Sequence, residues 1–124
     1  RWKCQFNENA KQVALAGVVP EMNHNEVLGF SSPEPLSRKM ACILLRQPKG
    51  DHPQIVRRFD ILKGILQART AGVREVRAEG RSLLAQMMSV IYLGDFVSLY
   101  LAYLKGVDPT PIALIDSFKA RLGR

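Results

Sequence analysis

An α/β fold built on a small parallel sheet is what the sequence predicts, on three observations. Met40 to Leu45 is an unbroken apolar run between Lys39 and Arg46, the pattern of a strand buried on both faces. Val73 to Ala78 sets Val73, Glu75 and Arg77 against Arg74, Val76 and Ala78, a second and weaker strand. Amphipathic helical stretches lie between and after them, and strands joined through helices pair in parallel. Two strands make a very small sheet, so the chain is expected to be a piece of something larger or to complete its sheet with another chain.

The elements follow in order. Asn7 is a candidate N-cap for a helix through about Ala16, with Pro20 beyond as a stop. Residues 20–38 carry Pro20, Gly29, Pro33, Pro35 and several serines and read as loop, with one helical turn around Glu26 to Leu28. After the first strand, Asp51-His52-Pro53 starts a helix with Pro53 at its first position, and Ile55, Val56, Phe59, Leu62, Ile65 and Leu66 form its apolar stripe. Gly80 opens a long helix to about Lys105, with Gly106 as its C-cap. A last helix runs from Ile112 to Leu122, with Thr110 as N-cap and Pro111 at N1.

At 124 residues, 47% of them hydrophobic and 23% charged, the chain has a globular balance and length for one core. No apolar run is read as approaching the roughly 20 residues that span a bilayer, and residues 1–30 lack the layout of a secretory signal. The expectation is a soluble, unexported chain with no membrane partner. Cys4 and Cys42 stand far apart without metal-ligand spacing, so reduced, buried thiols are expected, with no zinc site. The net charge of +7 is spread from Arg1 to Arg124 without runs or interleaved aromatics, so no nucleic-acid partner is inferred. A phosphorylated small molecule would suit the same charge.

Chemistry is sought in two polar motifs, Asn7-Glu8-Asn9 and Asn23-His24-Asn25-Glu26. Glu8, placed in the opening turn of its helix, would be favoured by the macrodipole whatever its function, but its flanking asparagines suit the holding of a carboxylate and sugar hydroxyls. Its functional role would be general base. His24 is either a solvated turn residue or an acid that protonates an ether oxygen, its ring oriented by Glu26 or another carboxylate. His52 needs no role beyond helix initiation. On the long helix Asp95, Ser98, Ala102 and Lys105 share an arc of about 80°, with Ser98 and Lys105 about 10 Å apart along the axis. That line is either a solvent-facing stripe or the wall of a site. Gly80-Arg81-Ser82 is weak as a phosphate loop, and hydrolase, Walker and dinucleotide motifs are absent from the sequence.

These segments together resemble a known family. Arg1 to Lys11, Glu21 to Val27, Leu45-Arg46 with Asp51-His52-Pro53, Leu93-Gly94-Asp95 with Tyr100-Leu101-Ala102, and Gly106 to Pro111 look like the C-terminal half of the bifunctional phosphoglucose/phosphomannose isomerases, of the sugar isomerase (SIS) superfamily. The resemblance implies a truncated SIS-like three-layer αβα domain over residues 1–124, without the N-terminal SIS domain or the opening strand. It implies aldose–ketose isomerisation of glucose 6-phosphate or mannose 6-phosphate to fructose 6-phosphate through an enediol, without metal or redox cofactor. Glu8 would move the proton, His24 would open the sugar ring, Lys105 and Ser98 would face the substrate, and Asn7 would bind it. It further implies a cytoplasmic homodimer in which the neighbouring subunit supplies the histidine, and a fragment inactive alone. A non-catalytic phosphosugar-binding SIS regulator and a small basic interaction domain are the alternatives.

Overall fold

The computed structural model describes residues 1–31, 35–47 and 50–123. Its elements in chain order are α1 (Trp2–Glu8), 3₁₀ turns at Glu21–Asn23, Glu26–Phe30 and Ser37–Lys39, β1 (Ala41–Arg46), α2 (Pro53–Gln67), β2 (Gly72–Arg77), α3 (Leu83–Leu104) and α4 (Ala113–Arg121). They divide into two compact units, residues 16–90 and residues 1–15 with 91–124. The fold is mixed helix and strand with a two-stranded parallel sheet, as the alternation of strands and helices implies.

In the unit of residues 16–90, β1 and β2 pair in register from Ala41 opposite Gly72 to Arg46 opposite Arg77. α2 starts where expected: Pro53 takes the first helical position, and the His52 imidazole accepts a hydrogen bond from the backbone N–H of Gln54 at 3.2 Å, satisfying an otherwise orphaned donor. Leu62 and Leu66 of α2 close over Leu44 and Val73, with Phe59, Cys42, Val19, Met22, Val27 and Phe30 around them. Each fully buried leucine contributes about 1.5–3 kcal/mol. The expectation that β1 is buried on both faces is corrected, because Ile43 and Leu45 remain 37% and 39% exposed. Residues alternate between faces along a strand, and only the Cys42–Leu44–Arg46 face joins this core.

Arg46 ends β1 with its side chain only 9% exposed. Its guanidinium lies 4.5 Å from the Phe59 ring centroid and is paired with Asp60 at 3.3 Å and Glu75 at 3.5 Å. Glu75 also meets Arg77 at 2.7 Å and Lys63 at 3.5 Å. Such pairing is what a buried guanidinium requires. The hydrogen bond from Arg77 and the surrounding positive charges hold the Glu75 carboxyl below its usual range, with burial working the other way. Past β2, Gly80 has φ of +137°, and a Cβ there would lie 2.6 Å from the Ala85 Cβ. The Ser82 hydroxyl then accepts from the Ala85 N–H at 3.2 Å, so Gly80-Arg81-Ser82 caps α3.

In the other unit the first helix differs from expectation. α1 ends at Glu8 instead of beginning there, and residues 11–18 have no regular structure. Lys11 has φ of +48°, which a right-handed helix cannot accommodate, and Asn7 donates its amide to the Lys3 carbonyl at 2.7 Å instead of capping an N-terminus. α3 stops as predicted: Gly106 has φ of +65°, its N–H reaches the Tyr103 carbonyl and the Val107 N–H reaches the Ala102 carbonyl, both at 3.0 Å. This is a Schellman arrangement. α4 begins at Ala113 with Ile112 at the cap position, so Thr110 and Pro111 do not start it. The Thr110 N–H is taken by the Asp108 carboxylate at 2.8 Å, which holds the chain in an Asx turn instead.

Two further expectations are corrected. α3, at 22 residues, is long and apolar enough by length and composition to cross a membrane, contrary to the absence of such a run. It nevertheless carries Asp95 and the buried Ser98, both hydrogen-bonded to the chain's own polar groups. Of the two free cysteines, Cys42 is half-buried but Cys4 is exposed on α1. Burial pushes the Cys42 thiol up, against the effect of a hydrogen bond with Thr70.

Candidate functional site

The site is organised by spacing on α3. Gly94, Ser98 and Ala102 recur every four residues, so they stand one above another on one face, and all three are buried. Small side chains at that spacing leave a groove shallow enough for the N-terminal segment to approach. The Trp2 indole lies against Gly94, where a Cβ would come within 2.6 Å of the ring carbon Cε2. Asp95 accepts from the Gln5 amide at 2.7 Å and from Arg1 at 3.3 and 3.4 Å, tying α1 along α3. These bonds, the one from Gln5 foremost, draw the Asp95 carboxyl below its usual range, with desolvation opposing.

Further along, the Asn9 amide donates to the Ser98 hydroxyl at 3.0 Å, and that hydroxyl donates to the Asp95 carbonyl at 2.8 Å. Ser98 is completely buried. Lys105 donates to the Lys11 carbonyl at 3.2 Å and to the Gln12 side-chain oxygen at 3.1 Å. Lys11 in turn donates to the Glu8 carbonyl at 2.6 Å and to the Pro109 carbonyl at 3.2 Å. Asn7 completes the set, its amide bridging the Lys3 carbonyl and the Ala14 carbonyl at 3.1 Å. The polar line on α3 therefore receives the N-terminal segment, with Ser98 and Ala102 buried and Lys105 exposed at its end.

Four of the five sequence-predicted site residues, Asn7, Glu8, Ser98 and Lys105, belong to this unit. Glu8 is the last residue of α1, not in an opening turn, so the macrodipole that would have explained it structurally now opposes its charge. Its carboxylate is exposed, and no hydrogen bond or ion pair holds it among the described residues. Lys105, with three donors, has two of them engaged by residues 11 and 12 and one left over among the described residues.

His24 belongs to the unit of residues 16–90. It closes the turn Glu21–Asn23, its N–H on the Glu21 carbonyl at 2.9 Å, and the residue is exposed. Glu26 does not orient the ring: its carboxylate lies beside Gly17, where a Cβ would meet it at 3.4 Å. The Asn25 side chain caps the next turn by accepting from the Glu26 N–H at 2.6 Å. Lys11 is the residue that the motif reading leaves without a role, and Asn9 enters that reading only as a flank of Glu8. The Gly94, Ser98, Ala102 spacing was the available signal.

The class is mixed helix and strand, with an exposed carboxylate, unpaired among the described residues, at the end of a short helix seated on a groove of small residues. The profile of the bacterial phospho-glucose isomerase C-terminal SIS domain matches residues 1–122, and the chain belongs to that family. It is 43% identical over 122 residues to a bifunctional phosphoglucose/phosphomannose isomerase of Caldicellulosiruptor bescii and 42% identical to one of Aquifex aeolicus. Each alignment covers 98% of this chain but only 36% and 38% of those relatives, so the chain spans little more than a third of their length. Among solved structures, a glucose-6-phosphate isomerase like protein from Thermus thermophilus superposes with a TM-score of 0.68 at 27% identity, over 94% of this chain and 36% of that one.

Proposed function

We propose that this chain is the base-bearing C-terminal part of a sugar-phosphate isomerase that converts glucose 6-phosphate or mannose 6-phosphate to fructose 6-phosphate. The observation that carries the reading is Glu8: an exposed carboxylate, unpaired among the described residues, at the unfavourable end of a helix, on a backbone tied down by Asn7, Asn9 and Lys11. A charge set against the dipole is not there for helix stability. The names of the relatives point to the same chemistry.

In this mechanism Glu8 removes the C2 proton of the open-chain aldose, and the C2–H electrons form a C1–C2 double bond as O1 gains a proton. The same carboxyl returns the proton to C1 while O2 loses its own and becomes the ketose carbonyl. Lys105 supplies positive charge toward the developing enediolate through its remaining donor. Asn7, its amide hydrogens engaged with backbone, offers its side-chain oxygen to a substrate hydroxyl. His24 protonates the ring oxygen during ring opening and comes from the neighbouring subunit of a cytoplasmic homodimer. Ser98, placed at the substrate by the resemblance, acts through Asn9 because its hydroxyl is buried. The phosphate is held by an N-terminal SIS domain.

The test is a coupled assay of both activities in the full-length enzyme. Glu8→Gln is expected to reduce both by about 10²- to 10⁴-fold, the range of a positioned general base. His24→Ala should slow turnover of the cyclic sugar. If both variants retained wild-type rates on both substrates, the reading would be wrong.

A further inference from the structure

We infer that Asn9 is a positioning residue for Glu8, and that its hydrogen bond to the buried hydroxyl of Ser98 sets the direction in which the base points. This rests on the isomerase reading of Glu8. No hydrogen bond or ion pair holds the Glu8 carboxylate among the described residues, so its aim depends on the backbone that carries it. That backbone leaves the helix at residue 9. Asn9 keeps helical dihedrals, φ of −82° and ψ of −53°, with its N–H on the Gln5 carbonyl at 2.8 Å, and Lys11 then turns to positive φ.

At residue 9 the exit is anchored to α3 by the side-chain bond between Asn9 and Ser98, with Lys105 on the Lys11 carbonyl two residues further on. Ser98 is fully buried and its single hydrogen is directed to the Asp95 carbonyl, so toward Asn9 it can only accept. The Asn9 amide donates at 3.0 Å and its own orientation is thereby chosen. A buried acceptor that loses its donor has no water to replace it, so the bond is costly to break and holds residue 9 in place. The side chain of residue 8 follows from that placement. A hydroxyl at residue 98 and a donor amide at residue 9 are required together, and either alone is useless for this purpose.

Steady-state kinetics of the full-length enzyme test this with Asn9→Asp, Ser98→Ala, the double variant, and Ser98→Thr, with Glu8→Gln as reference. Asn9→Asp keeps the shape and removes the donor; Ser98→Ala removes only the hydroxyl and stands in should the aspartate variant fail to fold. Each single variant is expected to lower kcat about 10- to 100-fold with KM within twofold, as for a base misplaced by about 1 Å. The double variant should lose no more than the worse single one, and Ser98→Thr, which keeps the hydroxyl, should retain more kcat than Ser98→Ala. Unchanged kcat in both singles, losses that multiply, or a rise in KM with kcat retained would each overturn the inference. Should Glu8→Gln itself remain active, the isomerase reading falls. Should it be inactive while the Asn9 and Ser98 variants turn over normally, only the positioning role falls.

Discussion

Replacing Gly94 with alanine separates helix propensity from close packing at the point where α1 meets α3. In a helix interior alanine is favoured over glycine by about 1 kcal/mol, so without other consequences the change would stabilise α3. The structure opposes this. A Cβ on Gly94 would overlap the Trp2 indole, with Cε2 and Cδ1 at 2.6 and 2.7 Å, roughly an ångström inside ordinary contact. The ring is rigid and borne by a helix tied to Asp95 through Gln5 and Arg1, so α1 must retreat as a whole. Overpacking of this kind costs about 1–3 kcal/mol, leaving a net destabilisation of about 0–2 kcal/mol. Gly64, in α2 with no atom within 4 Å of an added Cβ, is the control, and Gly64→Ala should stabilise by about 0.5–1 kcal/mol. Denaturant titration of the 124-residue chain reads both, and Trp2, its only tryptophan, reports locally through its emission. If Gly94→Ala stabilised as much as Gly64→Ala with Trp2 emission unchanged, the packing of α1 on a small-residue groove would be wrong.

Two other outcomes follow from single contacts. The Asp95 carboxyl is depressed in the folded state, so its contribution is present above the ordinary carboxylate range and is lost as pH falls through the folded value. The effect is small because Arg1 is largely exposed, and Asp95→Asn should flatten the acid limb of a denaturation midpoint measured from pH 5 to pH 2; an unaltered limb would refute the linkage. His52→Ala removes the side-chain cap of α2 and should cost about 1 kcal/mol in chemical denaturation, with His52→Asn close to wild type; equal losses in both would show that the cap contributes nothing.

The strands, α2 and the end of α3 were legible because each is specified locally, by an apolar run, a proline at the first turn or a glycine at positive φ. The first helix was misread for a definite reason. An asparagine amide accepts from N–H groups at a helix start and donates to carbonyls at a helix end, so Asn7 and Asn9 carry the same signal for opposite termini. Only the contacts decide: Asn7 on the Lys3 carbonyl and Asn9 on Ser98 mark the end. The error concealed the most informative property of Glu8, its position against the helix dipole.

The faces of α3 were harder to read, and the difficulty is physical. Amphipathic reasoning places the polar line in water, yet here Ser98 is completely buried while Tyr92, Phe96 and Tyr100 form an exposed aromatic row with ring centroids 4.9 and 6.2 Å apart. Polarity predicts the buried face only when the covering element is itself apolar. The segment Asn9 to Gln12 lies on this face, and its amides and carbonyls need polar partners: Asn9 meets Ser98, and residues 11 and 12 meet Lys105. Size decides where polarity misleads, because Gly94, Ser98 and Ala102 form the line on which another backbone can lie close. On α3 the bulky aromatic side chains therefore take the exposed face and the small ones the buried line, the reverse of what hydrophobicity alone assigns.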